Sequence, residues 1–386
     1  MIRDPKKVLI IGLVDSVHLA RWLTQFSGEK IDFYIFASKK FREIHALLRD
    51  LAEQEQHSQY RFLSPFKRKI FVGYVDFIYF EILGKVLHKF TRKKFLTSLL
   101  EHNQFDYIHA IEFQGAGYLV DSIDANLINK QKLIVTNWGS DIFYFRRMLD
   151  HENRIKRLLS KANFYSAECE RDYYFAKIYG FAGKNLPCIP NAGGFNLEVR
   201  GSNYVPASLR TVILIKGYGG TFGRAEMIIK LLPTVLNHFP GFTVHVYSAT
   251  NDVLKIINAL PGEIRSKIKI TTNRDRVTHA EMLSKFSNSR VHIGCSVSDG
   301  ISTAFLESLC TGAYPIQTNT SCASEWIKLG VIASVVDLNQ ELMLEQIFLA
   351  LSDNELVDRA SMQNLEIAKK YLDYKVVKKK ALEFYK

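Results

Sequence analysis

Two carboxylates stand eight residues apart in "HIGCSVSDGISTAFLESLCTGAYPIQT", residues 292–318: Asp299 in a glycine turn and Glu307 on the segment behind it. The apolar run VHIGCSV leads into Ser298-Asp299-Gly300. Gly300 permits a tight turn there, and Ser302 or Thr303 can cap a following helix. The free N–H groups of a helix N-terminus would then lie at the carboxyl end of a strand, a ready anion site. A carboxylate so close to bound phosphate would be repelled, so Asp299 and Glu307 are expected to address hydroxyl groups instead. A sugar and a ribose flanking a diphosphate would use both. The plainer alternative makes Asp299 a turn former and Glu307 an exposed helix position.

A second stretch, "LIKGYGGTFGRAEMI" (214–228), brings cations. Lys216 ends an apolar run, Gly217, Gly219, Gly220 and Gly223 make a glycine-rich loop, and Arg224 opens the next helix. Two cations around such a loop suit a diphosphate whose leaving group gains charge. Taken alone, the loop is equally well an ordinary turn.

Positioning these groups falls to a regular scaffold. Short β-rich apolar runs recur at 8–12, 31–36, 105–111, 132–138, 163–168 and 187–192, and again at 211–217, 242–249, 267–272, 290–297, 313–318 and 333–338. Helix-length segments separate them. Continuous rather than alternating runs mean strands buried on both faces, as in parallel sheets with helices outside. The expected class is α/β, with two doubly wound Rossmann-like domains facing a cleft. Residues 193–210, rich in Gly, Ser, Asn and Pro, read as the linker. The expected division is 1–195, 205–370 and a C-terminal helix, 371–386, packing back toward the first domain.

The chain of 386 residues is long for one domain, and its net charge of +12 calls for an anionic partner. The five cysteines (169, 188, 295, 310, 322) show no metal-ligand spacing and fit a reducing compartment. No run reaches the roughly 18 apolar residues of a membrane span, and the N-terminus reads as a first strand rather than a signal peptide. The expected setting is cytoplasmic.

The segment "SVSDGISTAFLESLCTGAYPI" resembles the donor-binding segment of glycosyltransferase family 4, retaining enzymes of the GT-B fold. That family carries two glutamates eight positions apart, and Asp299 and Glu307 match them with Asp in the first place. The resemblance implies that Asp299 contacts hydroxyls of the transferred sugar and Glu307 the ribose of the nucleotide. Backbone amides at Gly300, Ile301 and Ser302, with Thr303 beside them, would touch sugar and phosphate. Lys216 and Arg224 look like the family's diphosphate-binding pair, with the order of types reversed and a longer gap.

Weaker matches run through the first half: "GLVDSVHLARWL", "FDYIHAIEFQGAG", "IVTNWGSDI" and "CIPNAGGF". By this resemblance His109 and Glu112 keep part of a His-x-His-Glu-like pattern, with Ile111 in the second His place. Trp138 stands where a family His precedes Gly. Asp15, Ser16 and His18 follow the first strand and Asp141 follows Gly139-Ser140. These six (15, 16, 18, 109, 112, 141) are the acceptor-side candidates, with helix capping and core packing as the alternatives.

Residues 65–96 carry eight Lys or Arg against Asp76 and Glu81, a balance of +6, interleaved with eight aromatics. Such a stretch suits an anionic membrane surface. The expected function is retaining transfer of a sugar from a nucleotide-diphosphate sugar to a glycan or lipid-linked acceptor in cell-surface polysaccharide or lipopolysaccharide synthesis, peripherally at the inner face of the cytoplasmic membrane. No metal or other cofactor is expected, since Lys216, Arg224 and a helix N-terminus meet the diphosphate charge and no Asp-x-Asp occurs. A catalytically inactive scaffold of the same fold is one alternative. A nucleic-acid-binding protein would account for the charge, but no motif for it is present, and nucleic acid is not an expected partner.

Overall fold

A computed structural model describes residues 4–54, 60–63, 92–197, 205–275 and 277–386. The chain divides into two compact units, one of Met1–Gly193 with Lys378–Lys386 and one of Gly194–Val377.

In the first unit, seven strands form one sheet: β1 (Lys6–Gly12), β2 (Ile31–Ala37), β3 (Tyr60–Leu63), β4 (Tyr107–Ile111), β5 (Lys132–Thr136), β6 (Phe164–Ser166) and β7 (Lys184–Asn185). Their order is β3-β2-β1-β4-β5-β6-β7, and every pairing is parallel. Strand order reverses between β1 and β4, so the loops after these two strands lie side by side at one sheet edge. The central strands are buried along most of their length, as the continuous apolar runs require.

Two details depart from the sequence expectation. The run 187–192 is not a strand: Pro187 and Pro190 lack N–H groups for a ladder, and the last strand is the two-residue β7 just before it. β3 went unforeseen because a four-residue edge strand with one neighbour leaves little pattern to read.

The C-terminal residues complete this unit. The helix Tyr374–Ala381 leads into a short 3-10 turn, Leu382–Tyr385, whose Phe384 and Tyr385 are buried. Phe384 packs on Trp22 at 4.8 Å between ring centres, and Tyr385 meets Phe26 and Phe33 at 5.2 and 5.6 Å.

The second unit holds six parallel strands: β8 (Val212–Lys216), β9 (Thr243–Ala249), β10 (Ile268–Thr272), β11 (Ser289–Gly294), β12 (Tyr314–Thr318) and β13 (Ser334–Val336), in the order β10-β9-β8-β11-β12-β13. Here the order reverses between β8 and β11. The helix Thr303–Thr311 is buried at every position after Thr303, held by the long helix Asn354–Leu372 through Phe305, Leu306, Leu309, Ala368 and Leu372. Its end is set by Gly312, whose φ of 78° suits glycine. The expected linker is partly drawn into this unit. Phe195 N–H donates to the Leu372 carbonyl and the Phe195 carbonyl accepts from Tyr374 N–H, both at 2.8 Å. Residues 198–204 lie outside the described residues.

Candidate functional site

The two chemistry-bearing stretches of the second unit follow β8 and β11, neighbours at the reversal of strand order. The structure ties them together by backbone. Arg224 N–H donates to the Cys295 carbonyl at 2.9 Å, Val297 N–H to the Phe222 carbonyl at 2.8 Å, and Gly223 pairs with Ser296 in an antiparallel bridge. The glycine loop is therefore no ordinary solvent turn. A Cβ on Gly223 would sit 1.9 Å from the Tyr218 carbonyl oxygen, and one on Gly219 would sit 2.1 Å from Asp252 Oδ2. At 223 the clash is with backbone, so only glycine lets the two segments approach this closely, whereas at 219 the Asp252 side chain could shift.

Lys216, half-buried, ends β8 with its ammonium 5.7 Å from the centre of the Tyr218 ring. Arg224 folds over the loop, its Nη1 donating to the carbonyls of Gly220 (2.9 Å) and Gly223 (2.5 Å). Its Nε lies 4.0 Å from Glu226.

Asp299 is half-buried and accepts Gly300 N–H on its own Oδ1 at 2.9 Å, a local turn bond of the kind the plainer sequence alternative describes. Ser302 holds the N-cap place of the helix Thr303–Thr311 but lends its N–H groups no side-chain bond. No acidic residue occupies the helix's first turn. Those N–H groups therefore face the edge without a built-in side-chain cap.

Glu307 is not a surface residue. Its side chain is 10% exposed, and Oε1 accepts from His279 Nε2 at 2.9 Å. His279 opens the helix His279–Ser287, which Thr278 and Glu281 start with a reciprocal capping box. Sequence reasoning missed His279. The Thr278-x-x-Glu281 signature could have marked a helix start there, though not its partner. Beneath, Tyr247 hydroxyl and His292 Nε2 bond at 3.1 Å. Burial, with Lys216 nearby, holds His292 down to about 3, so its ring is neutral. Burial, with the Glu307 charge added, raises Tyr247 well above the ordinary phenol range. A neutral buried pair thus floors the space between a cation and a carboxylate.

In the first unit the structure gathers the acceptor-side candidates at the β1–β4–β5 edge, but most are committed to the fold. Ser16 caps the helix Val17–Thr24, accepting His18 N–H at 3.2 Å, and His18 meets Trp138 edge-on at 5.7 Å. Asp15 is exposed. Glu112 adopts a φ of 73°, rare for a side-chain-bearing residue, at the start of a π-turn, Phe113–Gly117. Its carboxylate, with Lys39 at 3.7 Å, accepts Gly115 and Ala116 N–H at 2.8 and 2.7 Å. Asp141 Oδ2 accepts Phe113 and Trp138 N–H, both at 2.8 Å, pinning one loop to the next. Burial, and then the charge of Glu112, raises Asp141 well above the usual carboxylate range.

His109 is corrected outright as an acceptor candidate. Its ring is fully buried, with Nδ1 on the Tyr385 hydroxyl (2.7 Å) and Nε2 on Thr136 Oγ1 (2.6 Å), and burial lowers it to about 3. It is a satisfied core histidine. Asp15, Ser16 and His18 are the candidates not fully buried.

Residues 7–169 match the family model "Glycosyl transferase 4-like". Anabaena HepE, solved with UDP and glucose, superposes with a TM-score of 0.68 at 11% identity, over 98% of this chain and 99% of that one. The fold is GT-B. Sucrose-phosphate synthase from Thermosynechococcus elongatus aligns at TM-score 0.69 and 12% identity, over 98% of each chain. A glycosyltransferase from Rickettsia africae aligns at 0.64 and 14%, over 99% of this chain and 98% of that one. No curated protein sequence matches. Within GT-B, each unit supplies one doubly wound sheet, and the β8–β11 edge is where this chain concentrates its paired cations, helix N-terminus and carboxylates.

Among the described residues, no helix is long and apolar enough to cross a membrane. Of the basic aromatic stretch 65–96, residues 65–91 lie outside the described residues. Arg92 is partly buried, donates from Nη1 to the Ala37 carbonyl at 2.8 Å, and is lowered by burial to about 10. Phe95 stacks on Phe36 at 5.8 Å. These two serve the fold rather than a surface.

Proposed function

We propose that the chain is a retaining, metal-independent glycosyltransferase that moves a sugar from a nucleotide-diphosphate sugar to a lipid-linked glycan in cell-surface polysaccharide synthesis. One observation carries the reading: the Lys216–Arg224 loop and the Asp299–Glu307 segment are bonded together at the β8–β11 reversal. In this reading Lys216 and Arg224 stabilise charge on the leaving diphosphate, and the N-terminus at Gly300–Thr303 offers it N–H donors. Asp299 accepts from hydroxyls of the transferred sugar. Glu307, oriented by His279, accepts from the ribose. The UDP held by HepE supports a nucleotide donor of this kind.

Both carboxylates are committed to hydroxyls, so no protein nucleophile is invoked. The departing phosphate oxygen takes the acceptor hydroxyl's proton as the new glycosidic bond forms on the face the diphosphate leaves, so the sugar keeps its anomeric configuration. Catalysis is positioning and charge stabilisation. Asp15, Ser16 and His18 are the residues for the acceptor sugar.

Incubating the protein with a panel of nucleotide sugars and a prenyl-diphosphate-linked acceptor tests this. Product should form with retained configuration by NMR and at an undiminished rate in excess EDTA. Loss of activity on chelation, restored by Mg²⁺ or Mn²⁺, would remove the metal-independent mechanism, and inverted product would remove the retaining one.

Residues 65–96 would bring the enzyme to an anionic bilayer. Because Arg92 serves the fold, the informative variant replaces Lys89, Lys93 and Lys94 with Gln. It should bind phosphatidylglycerol liposomes less than the parent at low salt, where screening is weak. Equal binding by both proteins would discard the membrane role.

A further inference from the structure

In the second unit a cavity of about 510 Å³ opens at the amino ends of β8, β9 and β10, against the last turn of the helix His279–Ser287. Lys267, Lys269, Lys285 and His245 line it, and no Asp or Glu is among the described residues around it. This end of the sheet is remote from the donor candidates. Val212 lines the cavity, while Lys216 ends the same strand roughly 13 Å away at the usual rise of a strand.

The cations come from two elements and meet on one sheet face. His245 on β9 stands in register with Lys269 on β10, and Lys267, two places before Lys269, shares its face. Lys285 reaches in from the helix and donates to Thr271 Oγ1 at 3.2 Å, the oxygen that also bonds His245 Nε2 at 2.8 Å. Burial, then the charges of Lys285 and Lys269, lower His245 to about 4, so its ring is neutral.

Most of the ammonium donors remain available. Lys267 gives one N–H to the Pro240 carbonyl at 2.8 Å, Lys285 gives one to Thr271, and Lys269 gives none to a described residue. None of the three forms an ion pair with a described residue. Glu281 feels the charge of Lys285 from a turn away, yet its carboxylate is held by the Thr278 N–H and hydroxyl at 2.7 and 2.8 Å. The helix's last carbonyls, which would repel an anion, are covered: that of Ser284 accepts from Asn288 N–H and Nδ2, and that of Lys285 from Ser289 Oγ.

Lysines on an edge strand also guard it against pairing with another chain. That accounts for Lys267 and Lys269, but not for Lys285 on a helix, nor for a cavity walled by all three. Like charges so placed disfavour one another until an anion sits among them. A bare phosphate takes the space of a few waters, at about 30 Å³ each, and would leave most of the cavity empty. Ser266, Ser284 and Asn288 line the remainder and suit hydroxyl groups rather than hydrocarbon.

We propose that Lys267, Lys269 and Lys285 bind the phosphate of a small phosphate ester with a hydroxylated carbon skeleton, at a site separate from the β8–β11 edge. The site does not rest on the glycosyltransferase reading.

The test is calorimetric titration at low salt, where screening is weak, with glucose 1-phosphate, inorganic phosphate and glucose. The protein carries Lys216→Ala/Arg224→Ala, so that the β8–β11 edge does not hold the probe. Glucose 1-phosphate should bind, and about 10-fold more weakly once Lys269→Gln/Lys285→Gln is added, a loss of the size expected for charge-assisted hydrogen bonds. Lys269→Glu, on an exposed side chain with no bond to the fold, should abolish binding. Glucose should not bind.

Absence of glucose 1-phosphate binding before the lysine substitutions overturns the proposal, as does unchanged affinity in the folded double variant or in Lys269→Glu. Inorganic phosphate binding as tightly as glucose 1-phosphate overturns the ester assignment, and glucose binding as tightly overturns the role of charge. Phosphatidylglycerol vesicles whose binding depends on the same two lysines would reassign the cavity to a lipid headgroup and overturn the soluble ligand.

Discussion

Replacing Lys216 or Arg224 with alanine is expected to lower turnover about 10²–10³-fold, the loss typical of removing one preorganised donor from a developing oxyanion. Both residues stand at the β8–β11 edge, and in the proposed reading their charge matters most when the sugar–phosphate bond breaks. The fall should therefore appear mainly in kcat, with a smaller change in nucleotide affinity. The two substitutions differ in risk. Arg224 also bonds the carbonyls of Gly220 and Gly223, so its removal loosens the loop as well as removing charge. Arg224→Lys separates the effects by keeping the charge without the fork. Steady-state kinetics with the preferred donor decides the matter, and near-normal kcat in both alanine variants would strip the pair of its assigned role.

Exchanging Phe384 and Tyr385 together for alanine is expected to leave the first unit largely unfolded. Each buried aromatic truncated to alanine costs about 3–5 kcal/mol, against about 5–15 kcal/mol for a whole domain. Tyr385 loses more than area, because its hydroxyl is the partner of His109 Nδ1 and accepts from Trp22 Nε1. Without it, a buried imidazole nitrogen has no partner, itself a cost of about 1–3 kcal/mol. Thermal melting and limited proteolysis of residues 1–193 report the result. A variant that melts with the parent would mean the C-terminal turn merely rests on a finished core.

Strand succession and its parallel character were legible in the sequence because doubly buried strands leave long apolar runs, as at Val8–Gly12 and Arg290–Val297. β3 and β7 were not, because edge strands of four and two residues depend on their neighbour more than on their own composition. In the candidate site, Asp299, Glu307, Lys216 and Arg224 stood out by type and spacing within short segments. His279 did not, since its link to Glu307 spans 28 residues and arises from helix packing. The acceptor side misled most. Glu112, Asp141 and His109 are polar residues at a sheet edge, and only coordinates distinguish a carboxylate that clamps backbone N–H groups from one open to a ligand.

The return of Lys378–Lys386 to the first unit bears on how the chain is made. During synthesis, residues 1–193 emerge without Phe384 and Tyr385, and the remaining half of the chain must be translated before these arrive. At about 5–20 residues per second the interval is roughly 10–40 s. Through that time Trp22, Phe26 and Phe33 lack a cover and the His109 ring lacks its hydroxyl partner. The second unit, continuous from Gly194 to Val377, is spared this wait. The nascent first unit is therefore the portion most exposed to chaperones and proteases on the ribosome, and a ribosome stalled before codon 384 would hold it unfinished.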